Sequence, residues 1–358
     1  VTITAAPAAP LAGTNGPYCV GETASALVAT PASGASLLWY SAATGGVGSA
    51  TAPTPTTTTA GTQNFYVSSL VSGGCESTRT LITVTINALP VAPSVSPTVA
   101  YCVGDAASAL SATPPSGSTL RWYTVATGGT FTTVAPTPST ATATTLTYYV
   151  SSVNASGCES ATRSLITVTI SAKPANPVVT TPVNLCLNET PITLTATPAS
   201  GTSLRWYTVA TGGTASATQP TYTTTSAGTT SFYVTSLNTT TGCESPRVEI
   251  QVIVNPLPSA PTVSPLTLCQ GATASALTAT PASGSTLRWY TVATGGTFTT
   301  TVTPSTATVG VTNYYVSSYN TTTGCESSRT LLAVTITAAP AAPLAGTNGP
   351  YCVGETAS

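Results

Sequence analysis

The 358-residue sequence contains no histidine and no methionine, with one lysine (Lys173) and one aspartate (Asp105). Only 5% of its residues are charged, against about 25% in an average soluble protein. Each shortage excludes something. Without histidine there is no Ser-His-Asp or Cys-His constellation and no imidazole-ligated metal. A formal net charge of −1 offers no electrostatic footprint for nucleic acid or an anionic membrane surface. No apolar run reaches the roughly 18 residues of a spanning helix, so direct membrane insertion of this segment is not expected. The proline-rich segments carry no carboxylate clusters, which excludes calcium sites of the junctional kind. No cofactor, metal ligand or catalytic residue is expected, and the chain reads as a non-enzyme. With neither an initiator methionine nor a signal peptide, it also reads as an internal piece of a longer protein.

What is present is β-branched, small or turn-forming: threonine, serine, alanine, valine, glycine and proline, a mixture suited to strands and turns. Nine cysteines without histidine or a C-x-x-C pair favour disulfides over zinc, and disulfides place the chain outside the cytoplasm.

Repetition organises the rest. "YCVGETASALVATPASGASLLWYSAATGG" from Tyr18 and "YCVGDAASALSATPPSGSTLRWYTVATGG" from Tyr101 are copies, and further copies surround Cys186 and Cys269. The leading cysteines Cys19, Cys102, Cys186, Cys269 and Cys352 recur with a period of about 83 residues. Each of the first four is followed, after about 56 residues, by a second cysteine in "GCES": Cys75, Cys158, Cys243 and Cys325. A tryptophan follows each of these four leading cysteines at one constant spacing: Trp39, Trp122, Trp206 and Trp289. The segment Val1–Ser25 recurs unchanged at Val334–Ser358, so four repeats form a super-repeat that starts again. The expected boundaries are 5–87, 88–171, 172–255 and 256–337, with 1–4 the tail of a preceding domain and 338–358 the start of a fifth. Cys352 lacks a partner only because the chain stops.

Comparison of the copies sets the strand phase. In "VEIQVIVN" Glu249 and Gln251 face water, so Ile250, Val252 and Val254 face the core, and by position so do Ile82, Val84 and Ile86. Leu27, Leu110, Leu194 and Leu277 are core positions, as are the alanines two residues on. In "LRWYT" Leu120 and Trp122 point in and Arg121 out. The paired glycines of "ATGG" form a tight turn. About seven short strands per unit, a central tryptophan and turns every 8–12 residues predict an all-β chain: a tandem array of immunoglobulin-like β-sandwich domains. The linkers "NALPVAPSVSP", "SAKPANPVVTTP" and "NPLPSAPTVSP" are stiff, and the array is expected to form an extended rod.

The first cysteine precedes its strand and the second follows the hairpin before the last strand. The expected bridges therefore cap one end of each domain: Cys19–Cys75, Cys102–Cys158, Cys186–Cys243 and Cys269–Cys325. Such a bridge shields about 56 of about 83 residues from a pulling force and leaves about 27 free to extend. The acids recur at two places, Glu76, Glu159, Glu244 and Glu326 after the second cysteine, and Glu22, Asp105, Glu189 and Glu355 after the first (Ala272 breaks the series). Such recurrence argues for a structural or solubility role. Arg79, Arg163, Arg247 and Arg329, with Arg121, Arg205 and Arg288, are expected to pair with those glutamates on the exterior, and Tyr40, Tyr123, Tyr207 and Tyr290 to cover strand surface. Asn154, Asn188, Asn238 and Asn320 are formal glycosylation acceptors.

The pattern "YCVG-x-TASAL-x-AT … WYT-x-ATGGT … YYVSS … GCES-x-RT-x-x-x-VTI" resembles the Ig-like repeats of very large surface proteins of Bacteroidota, including the SprB-type gliding adhesins, over essentially the whole chain. The resemblance implies export by the type 9 secretion system and display on the outer membrane of a Gram-negative cell. The reading is a structural stalk of a cell-surface adhesin, with neighbouring repeats as partners and surface polysaccharide or other filament chains as further ones. Two rivals stand beside it: weakly glycan-binding modules that act by avidity, and the spacer of a polysaccharide-degrading enzyme.

Overall fold

The computed structural model describes residues 3–344 and Val353. The chain divides into two compact units, Val1–Lys173 with Thr240–Cys243, and Pro174–Thr239 with Glu244–Ser358. All regular structure among the described residues is β-strand and turn.

Every repeat has the same four-stranded sheet. In the second, the order is Thr98–Cys102, Ser164–Ser171, Thr144–Val153 and Thr119–Tyr123. The three later strands pair antiparallel, while Thr98–Cys102 runs parallel to Ser164–Ser171. A two-stranded pair, Ser94–Val95 with Ala112–Thr113, supplies the opposing layer. The first and third repeats have the same pair at Leu11–Ala12 with Ala29–Thr30, and at Val178–Val179 with Ala196–Thr197. In the fourth it shrinks to the single bridge Thr262↔Thr280. Fewer strands form than turn spacing suggests, because the stretch after the "ATGG" turn touches the sheet through one bridge, such as Trp122↔Thr132.

The cores follow the alternation. Ile250, Val252 and Val254 are buried, as are Ile82, Val84 and Ile86, around the four buried tryptophans Trp39, Trp122, Trp206 and Trp289. Leu27, Leu110, Leu194 and Leu277 close each core from the opposing layer. Each core is small: in the first repeat it consists of Leu27, Trp39, Val67, Ile82, Val84 and Ile86, with partly buried neighbours. A domain of this size buries a modest share of its surface and gains from covalent reinforcement. At the "ATGG" turns both glycines hold positive φ, 62° and 74° at Gly128 and Gly129, a conformation in which other residues are strained.

Candidate functional site

Three recurring constructions combine sequence motif and geometry: the disulfides, a carboxylate cluster and a cap on the leading cysteine.

The disulfides join different repeats. They are Cys19–Cys158, Cys102–Cys243 and Cys186–Cys325, each with Cα atoms 5.6 Å apart. Cys75 and Cys269 are free thiols. The expected bridges Cys19–Cys75, Cys102–Cys158, Cys186–Cys243 and Cys269–Cys325 are therefore corrected. Strand direction explains why. Cys19 ends a strand parallel to Thr80–Asn87 and lies in register with Asn87, that strand's last residue. Cys75 precedes the same strand and sits beside its first residues, next to the bridge Leu70↔Glu76. Seven residue steps, about 23 Å, separate the two ends of such a strand, whereas a disulfide needs Cα atoms within about 7 Å. The chain leaves Asn87 directly toward the next repeat. There the side chain of Asn154 donates to the Ala88 carbonyl at 2.9 Å and its Oδ1 accepts the amide of Cys158 at 3.0 Å, which brings the hairpin cysteine to Cys19. At the bond from Cys102, the Cys243 sulfur lies 3.8 Å from the carbonyl of Ser171, and Ser171 is in register with Cys102. The hairpin tip Thr240–Cys243 accordingly belongs to the first compact unit. Cys352 lies outside the described residues.

The glutamate of "GCES" accepts hydrogen bonds from three sides. In the second repeat Glu159 takes the Tyr123 hydroxyl at 2.7 Å, the Ser151 hydroxyl at 2.6 Å and the Arg121 guanidinium at 3.1 Å. Glu76, Glu244 and Glu326 repeat the arrangement with Tyr40 and Ser68, Tyr207 and Thr235, and Tyr290 and Ser317. Arg205 and Arg288 pair with their glutamates at 3.1 and 3.0 Å. The first repeat has Leu38 where the others have arginine. The second arginine series lies over the tyrosines: the guanidinium of Arg163 is 3.2 Å from the Tyr123 ring centre, with Arg79, Arg247 and Arg329 equivalent. Arg163 also donates to the carbonyls of Val125 and Gly128, locking the "ATGG" turn.

Those four tyrosines are buried, at 5–7% exposure, so the expectation that they cover exposed strand surface is corrected. A stacked cation and a bonded hydroxyl make burial cheap. Burial, then the hydrogen bond to glutamate, pushes the hydroxyls of Tyr40, Tyr123, Tyr207 and Tyr290 above their usual range. Glu76 is held below the usual carboxylate value, chiefly by the Ser68 and Tyr40 hydrogen bonds. At Glu159 and Glu326 burial acts upward, but the serine, tyrosine and arginine hydrogen bonds outweigh it and the net shift is downward. The serine after each glutamate caps the neighbouring strand: Ser77 Oγ accepts the Ser69 amide at 2.9 Å and donates to the Thr78 carbonyl at 2.8 Å.

The other acid series serves the leading cysteine. Glu22, Asp105 and Glu189 accept the backbone amides of Cys19, Cys102 and Cys186 at 2.8, 2.9 and 2.7 Å. Their carbonyls take the hydroxyls of Thr57, Thr140 and Thr224. Both acid series thus act as structural ties. Of the formal acceptors, Asn154 and Asn320 spend their side-chain oxygens on the hairpins.

The four repeats match, at residues 7–87, 90–171, 174–256 and 258–340, the family model described as Ig-like domain CHU_C associated. The chain belongs to that family. No curated protein matches it. Among solved structures, this CHU_C-associated array is similar to the Sidekick-1 immunoglobulin domains 1–5, at 15% identity and a TM-score of 0.23, covering 93% of this chain and 80% of that one. It is similar to the Drosophila OTK extracellular domains 3–5 at 13% identity and a TM-score of 0.25, covering 70% and 96%. A third match is the fibronectin(III)-like modules of Clostridium thermocellum CbhA, at 15% identity and a TM-score of 0.29, covering 45% and 94%. Tandem Ig-like domains stapled by disulfides make this an extracellular chain of structural type.

Proposed function

We propose that this array is a stalk segment of a large adhesin displayed on the surface of a Gram-negative cell, where it transmits tension between the cell and an adhesive element. The observation that supports the reading is the pairing of the cysteines across repeats. At each junction that carries such a bond, force has two covalent routes, the peptide linker and the disulfide. We place the repeats at 5–87, 88–171, 172–255 and 256–337. Outer-membrane attachment, type 9 export and service in surface attachment or gliding belong to the same reading, by resemblance to the repeats of Bacteroidota adhesins.

Direct glycan binding is the weaker reading. Aromatic recognition of a sugar needs an open ring face, and the recurring tyrosines spend theirs on arginine. Two measurements test the proposal. Pulled by its ends, the oxidised chain should lengthen far less than the reduced chain. On a glycan array the full chain should stay silent; clear multivalent binding, or equal lengthening in both redox states, overturns the stalk reading.

A further inference from the structure

We infer that the third repeat carries a docking slot for an extended, uncharged peptide with a small apolar side chain, a place the other three repeats fill with residues of their own. The inference stands on a comparison of the repeats and does not depend on the stalk reading.

In three repeats the segment after the "ATGG" turn closes the core against the leucine of the opposing layer. Ala52, Ala135 and Val302 pack against their cores. Beside them the carbonyls of Pro53, Pro136 and Val302 accept the amides of Leu27, Leu110 and Leu277 at 2.9, 2.9 and 2.8 Å. The third repeat has Gln219–Pro220 where the first two have alanine–proline. A glutamine amide enters an apolar core only at the cost of its hydrogen bonds, and Gln219 is exposed. Tyr222 stands where the other repeats have the buried Pro55, Pro138 and Pro304. Its hydroxyl accepts the Ile192 amide at 3.1 Å and donates to the Ile192 carbonyl at 2.7 Å. Pro220 makes no bond to Leu194, and the Leu194 amide has no partner among the described residues, although the residue is only 2% exposed.

Cavities mark the place. One of about 180 Å³ is lined by Pro191–Leu194 on one side and Gln219–Tyr222 on the other. Another of about 510 Å³ has Leu194, Leu204 and Trp206 as its floor, with Thr195, Thr218 and Gln219 at its rim. No charged residue lines either one. The third repeat thus lacks two things the others have: an apolar side chain over the core and a carbonyl for a buried amide. In the fourth repeat a single residue, Val302, supplies both. A valine in an extended peptide supplies both in the same way, as in strand addition, where main-chain bonds give affinity and a side-chain pocket gives selectivity. A charged side chain finds no counter-charge there and is rejected.

The test uses the full-length oxidised chain and a fluorescent peptide copied from Thr300–Pro304. Anisotropy should show saturable binding at one site. The same peptide carrying Val302→Asp should bind at least about tenfold more weakly. In the chain, Gln219→Val gives the third repeat its own plug. It should weaken binding of the unaltered peptide by a similar factor without lowering the melting temperature. Should that variant melt lower, the peptide pair and amide exchange still decide. The Leu194 amide should exchange fast in the free chain and slowly with peptide, while Leu110 stays slow throughout. Absence of saturable binding, or binding indifferent to Val302→Asp, would overturn the proposal. So would a cello-oligosaccharide that protects the Leu194 amide where the peptide does not.

Discussion

Consider pulling on the oxidised and the reduced chain and reading the greatest separation of Cys19 from Cys325. Reduced, about 306 residues lie between them, about 1,040 Å at roughly 3.4 Å per residue. Oxidised, the shortest covalent route crosses Cys19–Cys158, follows the backbone to Cys186 and crosses Cys186–Cys325. With about 28 residues of backbone at about 3.4 Å each, plus two Cα–Cα spans of 5.6 Å, it reaches about 106 Å. Breaking the bonds should therefore release about 930 Å. Part of the short route is already extended, since it includes the strands Ser164–Ser171 and Val183–Cys186. Two variants sharpen the test. Replacing Cys102 and Cys243 by serine leaves the oxidised limit at about 106 Å, because that bond is not on the shortest route. Replacing Cys186 and Cys325 reroutes the path from Cys158 back to Cys102, across to Cys243 and on to residue 325, for about 480 Å. The assay is single-molecule force spectroscopy with terminal peptide handles, with and without a phosphine reductant. Bonds within repeats would instead give an oxidised limit of about 300 Å, and that outcome would refute the pairing and the reasoning built on it.

Further outcomes follow from the same geometry. Tryptic mapping without reductant should link the peptide containing Cys19 to that containing Cys158; a Cys102–Cys158 pair would contradict it. On the chain-entropy model, with loops of 139 to 141 residues, each bond stabilises by about 5 kcal/mol. Because the loops overlap, calorimetry should show less than three times that loss on reduction. Trp206→Ala removes the centre of the third core and should cost about 3–5 kcal/mol in denaturant unfolding. Glu159→Gln leaves Arg121 without its counter-ion and disturbs the bonds from Tyr123 and Ser151, for a loss of about 1–3 kcal/mol. The wild-type stability contribution of Glu76, Glu159 and Glu326 is full above the ordinary carboxylate value of 4.5 and is lost as pH falls through their lowered folded values. That of the four tyrosines is full below 10.0 and is lost as pH rises through their raised folded values. Melting temperature against pH should show both arms, and Glu159→Gln should flatten the acid one.

Local alternation and comparison between copies were enough to establish the repeat, its period, the all-β class and the core. Ile250, Val252 and Val254 could be assigned inward from two polar neighbours. Trp122 followed from its constant spacing. The ties made by the acids were legible only as recurrence: a repeated Glu159 announces a structural role, but its partners Tyr123, Ser151 and Arg121 come together only when three strands pair. The burial of Tyr123 was hidden for the same reason, since alternation from Trp122 points the tyrosine outward, and Arg163, from just before the strand Ser164–Ser171, and Phe131 cover it. The disulfide pairing was decided wholly by tertiary structure. In a periodic sequence a bond within each repeat and a bond to the next give the same cysteine spacing. What separates them is the direction of one short strand: because Tyr18–Cys19 runs parallel to Thr80–Asn87, the two cysteines of a repeat stand at opposite ends of its sheet, and each must look to a neighbour.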